Sequence, residues 1–188
     1  KTKTEAGRFK ELGTNILEKE LKLKVNKEKT HITSLHEGVA YLGFVIYERY
    51  IDINPKRVKR LKDKIRKLTP RTSGKNVEMM IQELNPVLRG WSNYYKVANC
   101  TNIFASITKW VRRRLRMKKM KEWKSWKGLH KQLRRLGYKG EFNKISMHRW
   151  RNSNSPLINM ALPNKWFKEL KLYDLSKIKV GTLFSYYE

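Results

Sequence analysis

The sequence predicts a mainly α fold: a short helix with a β-hairpin, then a three-helix bundle, then a small helical C-terminal part. Three observations carry this expectation. Apolar residues recur at spacings of three and four along most of the chain, capping and proline pairs mark helix starts, and residues 39–50 form a β-branched and aromatic run.

The elements follow in order. Phe9, Leu12, Ile16, Leu17 and Leu21 lie on one helical stripe, before the polar residues 22–30. Residues 39–50, interrupted by Gly43, read as a short hairpin. Asn54-Pro55 starts a helix, because proline at the first helical position lacks only an N–H that would have no intrahelical partner. Val58, Leu61, Ile65 and Leu68 form its apolar face, cations cover the rest, and Thr69-Pro70 stops it. A second helix carries Val77, Met80, Ile81 and Leu84. Asn85-Pro86 then either kinks it or caps a new start before Leu88, Trp91 and Tyr95. A third, from Asn102, carries Phe104, Ile107, Val111 and Leu115. Trp126, Leu129, Leu133 and Leu136 mark one more helix ended by Gly137, and Ser155-Pro156 and Leu162-Pro163 start two short ones. The expected division is residues 1–53, 54–120 and 121–188.

Charge points to the partner. Among 188 residues, 44 Lys and Arg stand against 16 Asp and Glu, a formal charge of +28. Residues 109–135 hold thirteen cations and one acid, Glu122. A cation that neutralises a phosphate releases condensed counterions, so such a segment supplies sequence-independent affinity for a polyanion. Nucleic acid is the expected partner, and irregular RNA fits better than DNA because no helix-turn-helix or zinc-finger pattern is present. With 6 Trp, 9 Tyr and 6 Phe the chain has large residues enough to fold. Trp91, Tyr94 and Tyr95 read as core, while Trp123, Trp126 and Trp150 suit packing and base stacking equally. The single Cys100 excludes a disulfide framework, suggests a reducing compartment, and reads as a small buried residue before the third helix. No apolar run approaches the roughly 18 residues of a membrane span, and the polar residues 1–10 do not form a secretory signal.

Self-contained metal chemistry is not expected. Two-metal phosphoryl transfer needs converging carboxylates, and the acids here are scattered singly apart from Glu18 and Glu20, which fall on different helix faces. His31, His36, His130 and His148 show no zinc-hydrolase spacing.

The string Asn85-Pro86-Val87-Leu88-Arg89-Gly90-Trp91-Ser92-Asn93-Tyr94-Tyr95 resembles the signature of the maturase-specific region, the thumb, of group II intron-encoded reverse transcriptases. Leu21-Lys22-Leu23 with Asn26-Lys27-Glu28-Lys29-Thr30 resembles the penultimate block of the palm in that family, and Tyr41-Leu42-Gly43-Phe44 the last. Downstream, Arg149-Trp150-Arg151, Ser155-Pro156 and Ala161-Leu162-Pro163-Asn164-Lys165-Trp166 resemble the C-terminal DNA-binding region of bacterial members.

The resemblance implies the end of a palm over residues 1–53, a thumb over 54–120 and a basic DNA- or RNA-binding part over 121–188. It implies a primer-grip-like role for Tyr41, Leu42, Gly43 and Phe44, and makes Lys29 the candidate for the lysine near departing pyrophosphate, with Lys27 as the competing register. The family's catalytic aspartates lie upstream of the first of these blocks, so no catalytic residue is assigned and the chain is expected to bind rather than to polymerise. The expected nucleic-acid contacts are Arg57, Arg60, Lys64, Arg89, Arg112, Arg113, Arg114, Arg116, Lys118, Lys119, Lys121, Lys124, Arg134, Arg135, Arg149 and Arg151. Partners implied are group II intron RNA, a template-primer duplex or target DNA, and an N-terminal reverse-transcriptase half, in a bacterial cytoplasm rather than an organelle. No cofactor is expected on this chain; Mg²⁺ belongs to the parent polymerase and the intron RNA. The competing readings are the C-terminal half of a split RNA-directed DNA polymerase and a general basic RNA chaperone.

Overall fold

A computed structural model of the chain describes residues 2–181. Residue 1 and residues 182–188, the outermost parts of the expected first and last modules, lie outside the described residues. The chain divides into two compact units, the first ending at Tyr50 and the second starting at Ile51.

The first unit opens with α1, Lys3–Asn15. Thr2 and Glu5 close a reciprocal capping box: the Glu5 N–H donates to Thr2 Oγ1 at 3.3 Å, and the Thr2 N–H to Glu5 Oε2 at 2.8 Å. A π-helical turn, Ile16–Glu20, extends it. No residue of α1 is buried, although the apolar stripe read from the sequence is there. Strands β1, Val39–Tyr41, and β2, Phe44–Ile46, pair antiparallel with Tyr41 opposite Phe44. The two-residue turn between them places Leu42 at φ +46° and Gly43 at φ +90°, the type I′ geometry whose twist matches a hairpin. Glycine adopts this conformation without penalty, whereas a leucine Cβ crowds the following carbonyl.

The second unit begins with β3, Ile51–Ile53, held by Asn99: the Ile51 N–H donates to Asn99 Oδ1 at 3.1 Å, and the Asn99 N–H to the Ile51 carbonyl at 2.8 Å. Helix α2, Pro55–Leu68, starts as expected, with Asn54 accepting from the Lys56 N–H at 3.0 Å. Leu61 and Ile65 are its buried face. Helix α3, Val77–Tyr95, is capped by Asn76 and buries Val77, Met80, Ile81, Leu84, Leu88, Ser92 and Tyr95. It passes through Pro86 as a single helix, so Asn85-Pro86 starts nothing new. Pro86 and Gln82 both lie on the exposed face, where water can bond the carbonyl that proline leaves without a donor.

Helix α4, Thr101–Trp123, is the longest and runs without a break through residue 120, where the charge pattern places a boundary. Its first half buries Phe104, Ile107, Val111 and Leu115 in the bundle with α2 and α3. Its last turns put Met117 and Met120 into a second cluster with Leu129, Leu133, Met147, Ile158, Ala161 and Leu162. Helices α5, Trp126–Arg135, and α6, Pro156–Ala161, supply most of that cluster, and a 3-10 segment at Trp150–Asn154 precedes α6. Gly137, at φ +85°, ends α5 as expected. Helix α7, Asn164–Glu169, and a 3-10 turn at Leu175–Lys177 complete the unit. Seven α-helices among the described residues make this a mainly α protein.

Cys100 is fully buried, and its thiol donates to the Tyr95 carbonyl at 3.4 Å. Burial pushes its pKa up from 9.0 to about 11. The raised value favours the native state below pH 9, and that contribution is lost as pH rises through about 11. The native protein should therefore resist a thiol-alkylating reagent at pH 8 and react only in denaturant; stoichiometric labelling of folded protein, read by mass spectrometry, would contradict the burial.

Candidate nucleic-acid interface

Six of the eight cations of α4, all but Lys109 and Lys121, bond within the fold. Arg114 donates from Nε to Thr69 Oγ1 at 2.7 Å and from Nη2 to the Thr69 carbonyl at 2.8 Å. Lys118 reaches the Ser73 carbonyl at 2.8 Å. Arg113 donates to Ser153 Oγ at 3.2 Å and to the Trp150 carbonyl at 3.3 Å, with its guanidinium over the Trp150 ring. Arg116 donates to the Leu162 carbonyl at 3.0 Å and to Asn164 Oδ1 at 3.3 Å, over the Phe167 ring. Arg112 pairs with Asp174 at 2.8 Å, and Lys119 with Glu122 at 2.9 Å.

Several of these acceptors share an origin. Thr69 and Leu162 are the C-cap residues of α2 and α6, where backbone carbonyls lack intrahelical donors and the helix dipole is negative. Helix ends thus supply the counter-charge that acids would otherwise provide. The cost is desolvation. Burial lowers the pKa of Arg114, with Arg66 adding to the effect, and lowers that of Arg116 to about 10, with Arg112 adding. Both remain charged at neutral pH.

A different set of cations stays in water. Arg57, Arg60 and Lys64 are exposed along α2, and among the described residues none has an ion-pair partner. They border a groove of about 440 Å³ whose other wall is α3, through Pro86, Val87, Gly90, Trp91 and Tyr95. Burial raises the Tyr95 pKa; Arg57 and Arg60 oppose that rise, and Tyr94 reinforces it. Trp91 is wedged between Tyr95, 4.7 Å between ring centroids, and Phe104, 5.6 Å, and so belongs to the wall. Tyr94, expected in the core, is half exposed.

Arg134 and Arg135 at the end of α5, Lys124 at the end of α4, and Arg149 and Arg151 are exposed, and Lys121 is half-buried. Arg89 is exposed with its guanidinium over the Tyr173 ring. One turn earlier, Asn85 donates to the Lys171 carbonyl at 2.8 Å and accepts from the Tyr173 N–H at 2.8 Å. The sequence marked Asn85 as a kink or cap beside Pro86 and as the start of the maturase-like string; its offset of four from Arg89 places both on one helix face. Trp123 and Trp126 pack, the first against the second apolar cluster and the second against His130 at 4.9 Å, whereas Trp150 remains partly exposed. In the first unit Tyr41 and Leu42 are exposed at the hairpin turn, Gly43 and Phe44 are half-buried, and Lys27 and Lys29 are both exposed beside the Asn26 turn.

The family model described as Group II intron, maturase-specific domain matches residues 58–137, from within α2 to the glycine that ends α5. This match supports reading the chain as the C-terminal region of a group II intron maturase. A search of curated proteins finds no match. The maturase-specific domain contains the Asn85–Tyr95 string on which the sequence resemblance rested, and it marks the chain as related to reverse transcriptases. It supports a group II intron maturase role, and such a domain implies intron RNA as a partner. Among the described residues no helix is long and apolar enough to cross a membrane. Nor, among the described residues, do three or more His, Cys, Asp or Glu side chains gather where they could hold a metal ion.

Proposed function

We propose that this chain binds folded group II intron RNA and assists its splicing, with the exposed cations of α2 and α5 meeting phosphates and the bonded cations of α4 fixing the frame that presents them. The observation that carries this reading is the row Arg57, Arg60 and Lys64, exposed and, among the described residues, without ion-pair partners, at the edge of the segment that matches the maturase-specific domain. Cations so placed lower the repulsion between packed RNA helices and release counterions on binding. Chemistry remains with the RNA. Binding of the intron RNA should weaken steeply between 50 and about 200 mM salt, and an unrelated ribozyme should compete poorly. Affinity indifferent to salt would refute the reading, and equal competition would favour a general RNA chaperone.

A second reading is favoured by one observation, the exposed Tyr41-Leu42 turn with leucine in a left-handed conformation. Local strain of this kind concentrates where a ligand is gripped. The hairpin would then support a primer end or target DNA beside a separate catalytic chain, and primer extension by the mixed chains decides it.

A further inference from the structure

Gly90 lies inside α3, exposed, on the wall of the groove that faces Arg57, Arg60 and Lys64. A Cβ built there meets nothing within 4 Å. Gly128 in α5 is different: a Cβ there would come to 2.8 Å from the Trp123 Cβ, so internal packing demands that glycine. Among the described residues nothing packs against the Cβ position of Gly90; Gly7 and Gly13 of α1 are equally open, but Gly90 is set apart by lining the groove edged by Arg57, Arg60 and Lys64, and glycine within a helix is less stable than alanine. The bare backbone at residue 90 therefore suits an approach from outside.

The two walls differ in chemistry. Arg57, Arg60 and Lys64 span about 10 Å along α2 at the helical rise, roughly the axial length of three nucleotides of one strand. Facing them, Pro86, Val87 and the Trp91 edge flank the gap left by Gly90. Trp91 makes tilted contacts with Tyr95 and Phe104, and with Pro86 and Val87 that wall offers mainly apolar surface. Packed helices run with axes about 8–10 Å apart, so a groove between two of them admits one strand rather than a whole duplex.

We infer that the α2–α3 groove is a seat for the sugar–phosphate backbone of a single nucleic-acid strand, phosphates toward Arg57, Arg60 and Lys64 and sugars against the shelf at Gly90. This assignment rests on the RNA-binding reading above and adds the place, the strandedness and the orientation.

The test uses the whole chain with Gly90→Ala and Gly90→Leu, and three labelled probes: an RNA hairpin with a single-stranded extension, the same hairpin blunt-ended, and the extension sequence as a DNA strand. Gly90→Ala should keep or raise the melting temperature while weakening binding of the extended hairpin. Gly90→Leu should weaken it further, by about fourfold, as the leucine lifts the strand off one phosphate contact, with the blunt hairpin unaffected. A parallel loss for the DNA strand assigns the seat to the backbone common to both nucleic acids, and a loss confined to RNA assigns it to RNA. Wild-type affinity in Gly90→Leu, equal losses for blunt and extended hairpins, or a lowered melting temperature in Gly90→Ala overturns the seat and leaves RNA binding intact. Wild-type protein that binds none of the probes removes the underlying reading as well.

Discussion

Replacing Arg116 by alanine should lower stability by on the order of 3 kcal/mol, the largest effect expected of any single surface-type residue in the chain. Arg116 is 7% exposed and its guanidinium holds the Leu162 carbonyl and Asn164 Oδ1. Truncation leaves the carbonyl that ends α6 without its donor and opens space beside Phe167. At roughly 2–4 °C per kcal/mol for a protein of this size, the melting temperature should fall by about 6–12 °C. Methionine, which refills the space but bonds nothing, should recover part of the loss. Arg60→Ala, on the exposed face of α2, should stay within about 0.5 kcal/mol of wild type. An Arg116→Ala protein that melts with wild type would show that the internal bonding of α4 carries no stability.

Neutralising Arg57, Arg60 and Lys64 together should produce the opposite pattern. Stability should be unchanged or slightly raised, because three like charges leave a crowded cationic face. RNA affinity should fall between tenfold and about a hundredfold near physiological salt, and the dependence of log affinity on log salt should flatten by roughly two, at ~0.7 per lost contact on a single strand. Titrations at several salt concentrations read both quantities. A triple variant with an unchanged slope would exclude these side chains from phosphate contact.

Helix positions were legible because each carries a local cause. Asn54-Pro55 and Ser155-Pro156 start helices, Gly137 ends one, and the stripe Phe104, Ile107, Val111 and Leu115 is buried as its spacing requires. The continuity of α3 through Pro86 was not legible, since it depends on which face of the helix meets water, a tertiary property. Charge was the harder case. Thirteen cations against one acid read as a phosphate-binding run, and the side-chain types alone gave no sign that carbonyls at Thr69, Ser73, Trp150 and Leu162 would bond four of them. Backbone acceptors carry no residue identity, so a sequence read by side-chain charge misses them. Arg57, Arg60 and Lys64 look no different from Arg113, Arg114 and Lys118 in one dimension; only the fold sorts them.

The unbroken course of α4 has a consequence for how such a protein can be divided. A cut near residue 120 would bare Met117 and Met120 and strip Arg113 and Arg116 of the carbonyls they hold. The tail is therefore no detachable cassette: shortening the gene from its 3′ side would damage the bundle before it removed any one activity. Variation in this part of the chain should instead collect in solvent-facing turns such as residues 138–141, leaving the shared helix and its carbonyl partners alone.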